Sequence, residues 1–238
     1  MDMKIKAILF DLDGTLLPMD QDVFVKAYFK ALATRLAPRG YEANQLLGSF
    51  WSGVGAMVKN DGSCINEKAF WKAFCQVHGE GAMEDKPYID EFYRDEFNKV
   101  QSVCGYTPLA KELIDGLKKQ DVKLVLATNP LFPQMATANR IRWAGMSSED
   151  FSLVTTYENS HYCKPNPKYY MEILEKIGCQ PEECIMVGND VTEDMMTKEM
   201  GMKVFLLSDC LINKENKDIS MYPHGSFEEL REFLKQYI

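Results

Sequence analysis

Apolar and polar positions change period several times along the chain, and each change marks an element. Lys4 to Phe10 is an apolar run rich in stiff side chains (Ile5, Ala7, Ile8, Leu9, Phe10), the pattern of a strand buried on both faces. After Thr15 the period becomes helical. Phe24, Ala27, Tyr28, Ala31, Leu32 and Leu36 mark one helix over 21–37. Leu46, Leu47, Phe50, Val54, Met57 and Val58 mark a second, stopped by Asn60-Asp61-Gly62. Asn66 is placed to cap a third, with Phe70, Trp71, Phe74 and Val77 on its inner face, and a fourth is expected from Tyr88 to Val100. None of this block reads as strand.

Past Cys104 strands and helices alternate. Thr107-Pro108 is an N-cap followed by proline, with Leu109, Leu113 and Leu117 inward. Val122 to Ala127 is a second strand, followed by a helix that carries Met135, Ile141, Trp143 and Ala144 and stops at Gly145. A third strand is expected at Phe151–Thr156, then a helix capped by Asn166-Pro167 with Tyr170, Ile173, Leu174 and Ile177 inward. Cys184–Gly188 and Lys203–Leu207 are the fourth and fifth strands, Asp209–Pro223 a surface loop, and Ser226 to Glu229 a capping box on the last helix. Strands alternating with helices predict an α/β fold, a doubly wound and mainly parallel sheet. The intervening helices predict a separate bundle with its own core: a helical cap domain at 18–102, inserted into an α/β core formed by 1–17 and 103–238.

The chain has 238 residues, enough for a core plus a smaller module, and a formal net charge of −8. That charge argues against nucleic-acid or anionic-membrane partners, which need a clustered basic footprint. Seven scattered cysteines without a C-x-x-C pair read as reduced thiols rather than a disulfide frame or a zinc site. Met1–Lys6 has no apolar signal core and no run approaches membrane-spanning length, so the expected compartment is the cytoplasm. The substrate and the oligomeric state are not read from these features.

Candidate chemistry gathers where predicted strands end, the place where open parallel sheets bind ligands. Asp11 and Asp13 close the first strand, and alternation points both the same way. Two carboxylates that close need a cation between them, or one must carry a proton. Thr128 and Asn129 close the second strand and offer a hydroxyl and an amide to a phosphoryl oxygen. Lys164 is fixed just before a helix start, where its ammonium offsets the crowded aspartates. Asn189, Asp190 and Asp194 follow the fourth strand and complete an oxygen-rich pocket suited to Mg²⁺. The cap aromatics are read as bundle core rather than substrate pocket and His78 as a structural histidine, while Glu158 and His161 are at most rim residues.

Asp11-Leu12-Asp13-Gly14-Thr15, Ala127-Thr128-Asn129, Lys164-Pro165 and Val187 to Asp194 resemble, in order, the four motifs of the haloacid dehalogenase superfamily of phosphotransferases. The resemblance covers about 1–17 and 103–208 and does not extend to the sequence between. It implies a helical cap that closes over the site, and hydrolysis of a small phosphomonoester with Mg²⁺. Asp11 would attack phosphorus and form an aspartyl-phosphate. Asp13 would protonate the leaving alcohol and then activate water. Thr128, Asn129 and Lys164 would hold the phosphate. Asp11, the Asp13 carbonyl and an acidic-loop side chain would hold the metal, with Asp194 in support. One position departs from the pattern. The usual Gly-Asp reads Gly188-Asn189 here, with the acid one place later at Asp190. The expectation is that Asp190 supplies the charge and Asn189 at most a neutral oxygen. The rival readings are a sugar phosphomutase, a haloacid dehalogenase, which needs no acid at the position of Asp13, and a non-catalytic binding module.

Overall fold

A computed structural model describes residues 4–238; Met1–Met3, part of the stretch searched for a signal core, lie outside the described residues. Six parallel strands form one sheet in the order β3-β2-β1-β4-β5-β6. They are β1 (Ala7–Phe10), β2 (Lys123–Leu126), β3 (Leu153–Val154), β4 (Cys184–Gly188), β5 (Lys203–Leu207) and β6 (His224–Gly225). β1 is central, and all four of its residues are fully buried because helices cover both faces. Its alternation sorts the core into two clusters. Ile8 and Phe10 pack with Leu124, Ile185 and Phe205 on one face; Ala7 and Leu9 pack with Val125, Met186 and Val204 on the other.

Four helices lie between β1 and the return of the chain to the sheet: α1 (Gln21–Leu36), α2 (Ala43–Val58), α3 (Asn66–His78) and α4 (Lys86–Arg94). The core then adds α5 (Pro108–Leu117), α6 (Gln134–Trp143), α7 (Pro167–Ile177) and α8 (Phe227–Leu234). The predicted caps on three of these are formed. Thr107, Asn166 and Ser226 each accept a hydrogen bond from a first-turn N–H, and Glu229 completes the box with Ser226. Among the described residues, no helix is long and apolar enough to cross a membrane.

The inserted helices differ from expectation in three ways. The helix foreseen over Tyr88–Val100 divides at Asp95 into α4 and a run of 3-10 turns over Glu96–Val103, so that Phe92 and Tyr93 and then Phe97 and Val100 all face inward. Asn66 does not cap α3. Ile65 stands at the cap, and the Asn66 side chain is fully buried, its Nδ2 turned toward Pro130 O, Tyr162 O and Cys163 Sγ. The N–H groups of Asn66 and Glu67 donate to Ser160 O and Tyr157 O, both at 2.8 Å. The start of α3 is therefore pinned to the segment leading into Lys164. Nor does the block keep a core of its own: Phe97 packs 5.0 Å from Trp143 of α6 and 6.4 Å from Phe132, so one apolar cluster runs from the helices to the sheet. Val77, expected inward, is exposed. The third strand shrinks to two residues, and β6 adds one that the sequence pattern did not mark.

Candidate active site

The strand order reverses between β1 and β4, and ligands bind at that switch point in open α/β sheets. Asp11 follows β1 there and Asn189 follows β4. Beyond Asp11 the chain makes a tight turn at Gly14, whose φ of +87° suits glycine and whose missing Cβ leaves room for Asn189 Nδ2. Gly188 serves a similar end: a Cβ there would collide with the Asp194 carboxylate.

Lys164 joins the pieces. Its Nζ lies 2.8 Å from Asp11 Oδ1 and 2.6 Å from Asp194 Oδ1, and the lysine is 2% exposed. Burial works against its charge, but Asp11 and Asp194 prevail and hold its pKa well above the ordinary lysine value. Burial also raises Asp194, to about 7. On the other side of Asp11, the Thr15 hydroxyl lies 3.3 Å from Oδ2 and donates at 3.0 Å to Asn189 Oδ1. Asn189 Nδ2 in turn donates to Cys210 O at 2.7 Å, which fixes the amide with its oxygen toward Thr15.

Asp13 meets a partner that the sequence reading passed over. Its Oδ2 pairs with the guanidinium of Arg140, a residue with no solvent exposure, while Oδ1 is buried without a hydrogen bond. Burial raises the Asp13 carboxyl above its usual range, and Arg140 only partly offsets this. Arg140 also donates to the Thr137 hydroxyl and stacks 4.4 Å from the centre of the Phe132 ring. The signal was its helical spacing: Arg140 stands one turn from Ala136 and Trp143, on the buried face of α6.

Two expected site residues are turned elsewhere in part. Asn129 directs Nδ2 at both oxygens of Glu193 (3.2 and 3.1 Å), and its Oδ1 is buried without a partner. Asp190 Oδ1 accepts from its own loop, from Thr192 N at 2.7 Å and Glu193 N at 2.8 Å. Thr128 is buried beside Asn129, its carbonyl held by Thr155 Oγ1 at 2.7 Å and Tyr169 OH at 2.9 Å. Of the residues set aside, Glu158 accepts from the first N–H of α6, His161 pairs with Glu172, and His78 bonds to Ser49.

The cluster gathers four carboxyl groups, Asp11, Asp13, Glu193 and Asp194, around two cations, Lys164 and Arg140, and burial raises the pKa of Asp13, Glu193 and Asp194, a crowding that a further cation would relieve. Among the described residues no three His, Cys, Asp or Glu side chains converge on one point. A bound ion would rest on one carboxylate and neutral oxygens, a hard donor set that fits Mg²⁺, which keeps waters and is completed by substrate phosphate.

The chain matches the family model of the haloacid dehalogenase-like hydrolases over residues 5–201. It is 25% identical over 202 residues to the pyrophosphatase PpaX of Bacillus velezensis, covering 85% of this chain and 82% of that one. It is 25% identical over 223 residues to the glyceraldehyde 3-phosphate phosphatase of Methanothermobacter thermautotrophicus, covering 90% and 91%. Its fold is similar to that of the 2-haloacid dehalogenase from Pseudomonas syringae pv. Tomato DC3000, with a TM-score of 0.64 at 19% identity over 98% of this chain and all of the other. With the family model spanning most of its length, the chain belongs to the haloacid dehalogenase-like hydrolases.

Proposed function

We propose that the protein hydrolyses a small phosphomonoester through an aspartyl-phosphate on Asp11. The observation that carries this reading is the buried Lys164 held between Asp11 and Asp194 at the carboxyl edge of the sheet, beside Asp13. Phosphoryl transfer is mostly positioning and charge stabilisation, and this arrangement supplies both. Asp11 attacks phosphorus while Lys164 stays on its Oδ1 and draws the equatorial oxygens. Asp13 then gives a proton to the departing alcohol oxygen. Its Oδ1, buried and free of partners, is the oxygen able to carry that proton, and the raised pKa favours the protonated form. In the second half Asp13 takes a proton from water, whose oxygen attacks phosphorus. Inorganic phosphate leaves, and the Asp11 carboxylate is restored.

Asp11, Asn189 and the backbone carbonyl of Asp13 would hold Mg²⁺, with Asp190 as the alternative to Asn189. When bound, the ion neutralises the phosphoryl oxygens. The Asp13 side chain, which a dehalogenase has no need of, favours phosphoryl transfer. We place the cap at 18–102 and the catalytic core in the remainder.

The test is phosphate release from a panel of phosphomonoesters, with Mg²⁺ and with EDTA, on wild type and Asp11→Asn, with product analysis for phosphate moved to a second hydroxyl. Metal-dependent release that disappears in Asp11→Asn supports the reading. No release from any monoester, release unaffected by Asp11→Asn, or a moved phosphate in place of free phosphate overturns it.

A further inference from the structure

Asn66 opens α3, and its side chain has no solvent exposure although asparagine is mostly a surface residue. A buried amide is kept inside by what it bonds. Its Oδ1 accepts from Asn60 Nδ2 at 2.9 Å. Asn60 is itself fixed, donating to Cys64 O at 2.8 Å and accepting from Gly62 N at 3.2 Å. With Oδ1 so held, Asn66 Nδ2 faces Pro130 O at 3.5 Å, Tyr162 O at 3.3 Å and Cys163 Sγ at 3.4 Å.

Where those acceptors stand in the chain is what matters. Pro130 directly follows Asn129, and Cys163 directly precedes Lys164. The two loops leave different strands, β2 and β3, and both carry residues expected to hold the phosphoryl group. Toward the sheet each is secured by the core: Thr128 O by Thr155 and Tyr169, and Lys164 by Asp11 and Asp194. Toward the inserted helices both meet one NH₂ group, that of Asn66. Two hydrogens shared among three acceptors make long bonds, so the amide acts as a spacer more than as a strong clasp.

We propose that Asn66 is a positioning residue for phosphoryl transfer: its amide sets the spacing between the loop of Thr128 and Asn129 and the segment of Lys164, so that both close on the same phosphoryl group. The proposal rests on the phosphatase reading above. It gives the inserted block a part in the chemistry itself, separate from enclosing a substrate. In the transition state the phosphoryl oxygens spread into one plane, and donors from both loops must reach them together. A displacement of about 1 Å in such a site costs on the order of a hundredfold.

The experiment measures hydrolysis of p-nitrophenyl phosphate with Mg²⁺ on the full chain. It also measures inhibition by inorganic phosphate and by orthovanadate, which takes the five-coordinate geometry of a phosphoryl group in flight. Asn66→Ala should lower kcat about tenfold or more with KM within about threefold, the mark of an interaction made in the transition state. Orthovanadate inhibition should weaken by about the same factor as kcat/KM, and phosphate inhibition by about threefold at most. The inhibition constant is the discriminating readout. A partly unfolded variant loses rate, but its folded fraction binds orthovanadate as wild type does.

Tyr162→Phe removes another contact between the same two segments, the 3.3 Å bond from its hydroxyl to Asp61 O, and should leave kcat and the orthovanadate constant unchanged. If Asn66→Ala does not fold, Asn60→Ala takes its place: it frees the amide to turn and should weaken orthovanadate about threefold, roughly one hydrogen bond's worth. Unchanged orthovanadate inhibition in the folded variant, or an equal loss in Tyr162→Phe, overturns the proposal and leaves the phosphatase reading intact. If wild type hydrolyses no monoester, the phosphatase reading falls. Orthovanadate binding by calorimetry, weakened in Asn66→Ala and not in Tyr162→Phe, then still supports a spacer between two oxyanion-holding loops; equal or absent binding overturns that too.

Discussion

Arg140 and Asp13 form an ion pair in which the arginine has no solvent exposure and the Asp13 side chain is 19% exposed. The pair joins α6 to the turn after β1, two elements more than a hundred residues apart in sequence. Removing one member of a buried pair leaves the other charge without compensation. Arg140→Met should therefore lower unfolding stability by about 3–5 kcal/mol. Adding Asp13→Asn removes the stranded carboxylate and should restore a good part of that loss. Urea unfolding of the four variants checks it; strictly additive effects would mean the pair does not couple.

Arg140 also marks where the sequence stopped being informative. β1, β2, β4 and β5 were legible because strands buried on both faces leave unbroken apolar runs, and their ends named Asp11, Thr128 and Asn189 directly. Thr107, Asn166 and Ser226 were legible because capping is local chemistry. Arg140 and Thr15 owe their roles to partners 127 and 174 residues away, Asp13 and Asn189, and no local pattern encodes that distance. Asn66 had good cap chemistry one position too late, and its amide was claimed by carbonyls from the far side of the chain. The two-residue β6 has too few positions for alternation to be seen.

Asp13 should matter in proportion to how much the leaving group needs a proton. Asp13→Asn keeps the shape of the side chain and an oxygen that can accept from Arg140, but it strands the buried guanidinium and costs stability, so kcat is read under conditions where circular dichroism shows the variant folded. Turnover of an alkyl phosphate should fall by about a hundredfold or more, within the range general acid–base catalysis contributes, while an activated aryl phosphate falls far less. The measurement is kcat on both esters. Equal losses would assign Asp13 a positioning or metal-holding role only.

Asp194 predicts a pH dependence of stability. Its carboxyl titrates at about 7 in the folded chain because it is buried, against 3.8 as the ordinary value. The folded state thus holds this proton more tightly than the unfolded chain between those two values. The contribution to stability is fully present below about 4, falls as pH rises through 7, and is gone above that. Asp194→Asn cannot titrate, so the difference in stability between wild type and variant should change between pH 4 and pH 7 and level off beyond. Urea midpoints across that range, without added divalent ions, test it. A flat difference would mean that Lys164 keeps Asp194 ionised throughout.

The final prediction concerns the departure from the family pattern at β4. The sequence suggested that Asp190 supplies the charge at the metal. Asp190 Oδ1, however, accepts two N–H groups of its own loop, whereas Asn189 Oδ1 is joined through the Thr15 hydroxyl to Asp11. Asp190→Asn keeps an oxygen able to accept those loop hydrogen bonds, so it should alter the Mg²⁺ requirement little. Asn189→Ala removes both the oxygen facing Thr15 and the tether to Cys210, and should raise the Mg²⁺ concentration for half-maximal rate by about tenfold, roughly one lost ligand contact. Asn189→Asp adds a full charge where the family usually has one and should lower that concentration, at some cost in stability because its new oxygen faces the Cys210 carbonyl. Titrating Mg²⁺ against turnover in the three variants decides between neighbours. If Asp190→Asn needs tenfold more Mg²⁺ while Asn189→Ala behaves like wild type, Asp190 is the ligand, and the loop must release its Oδ1 when the ion binds.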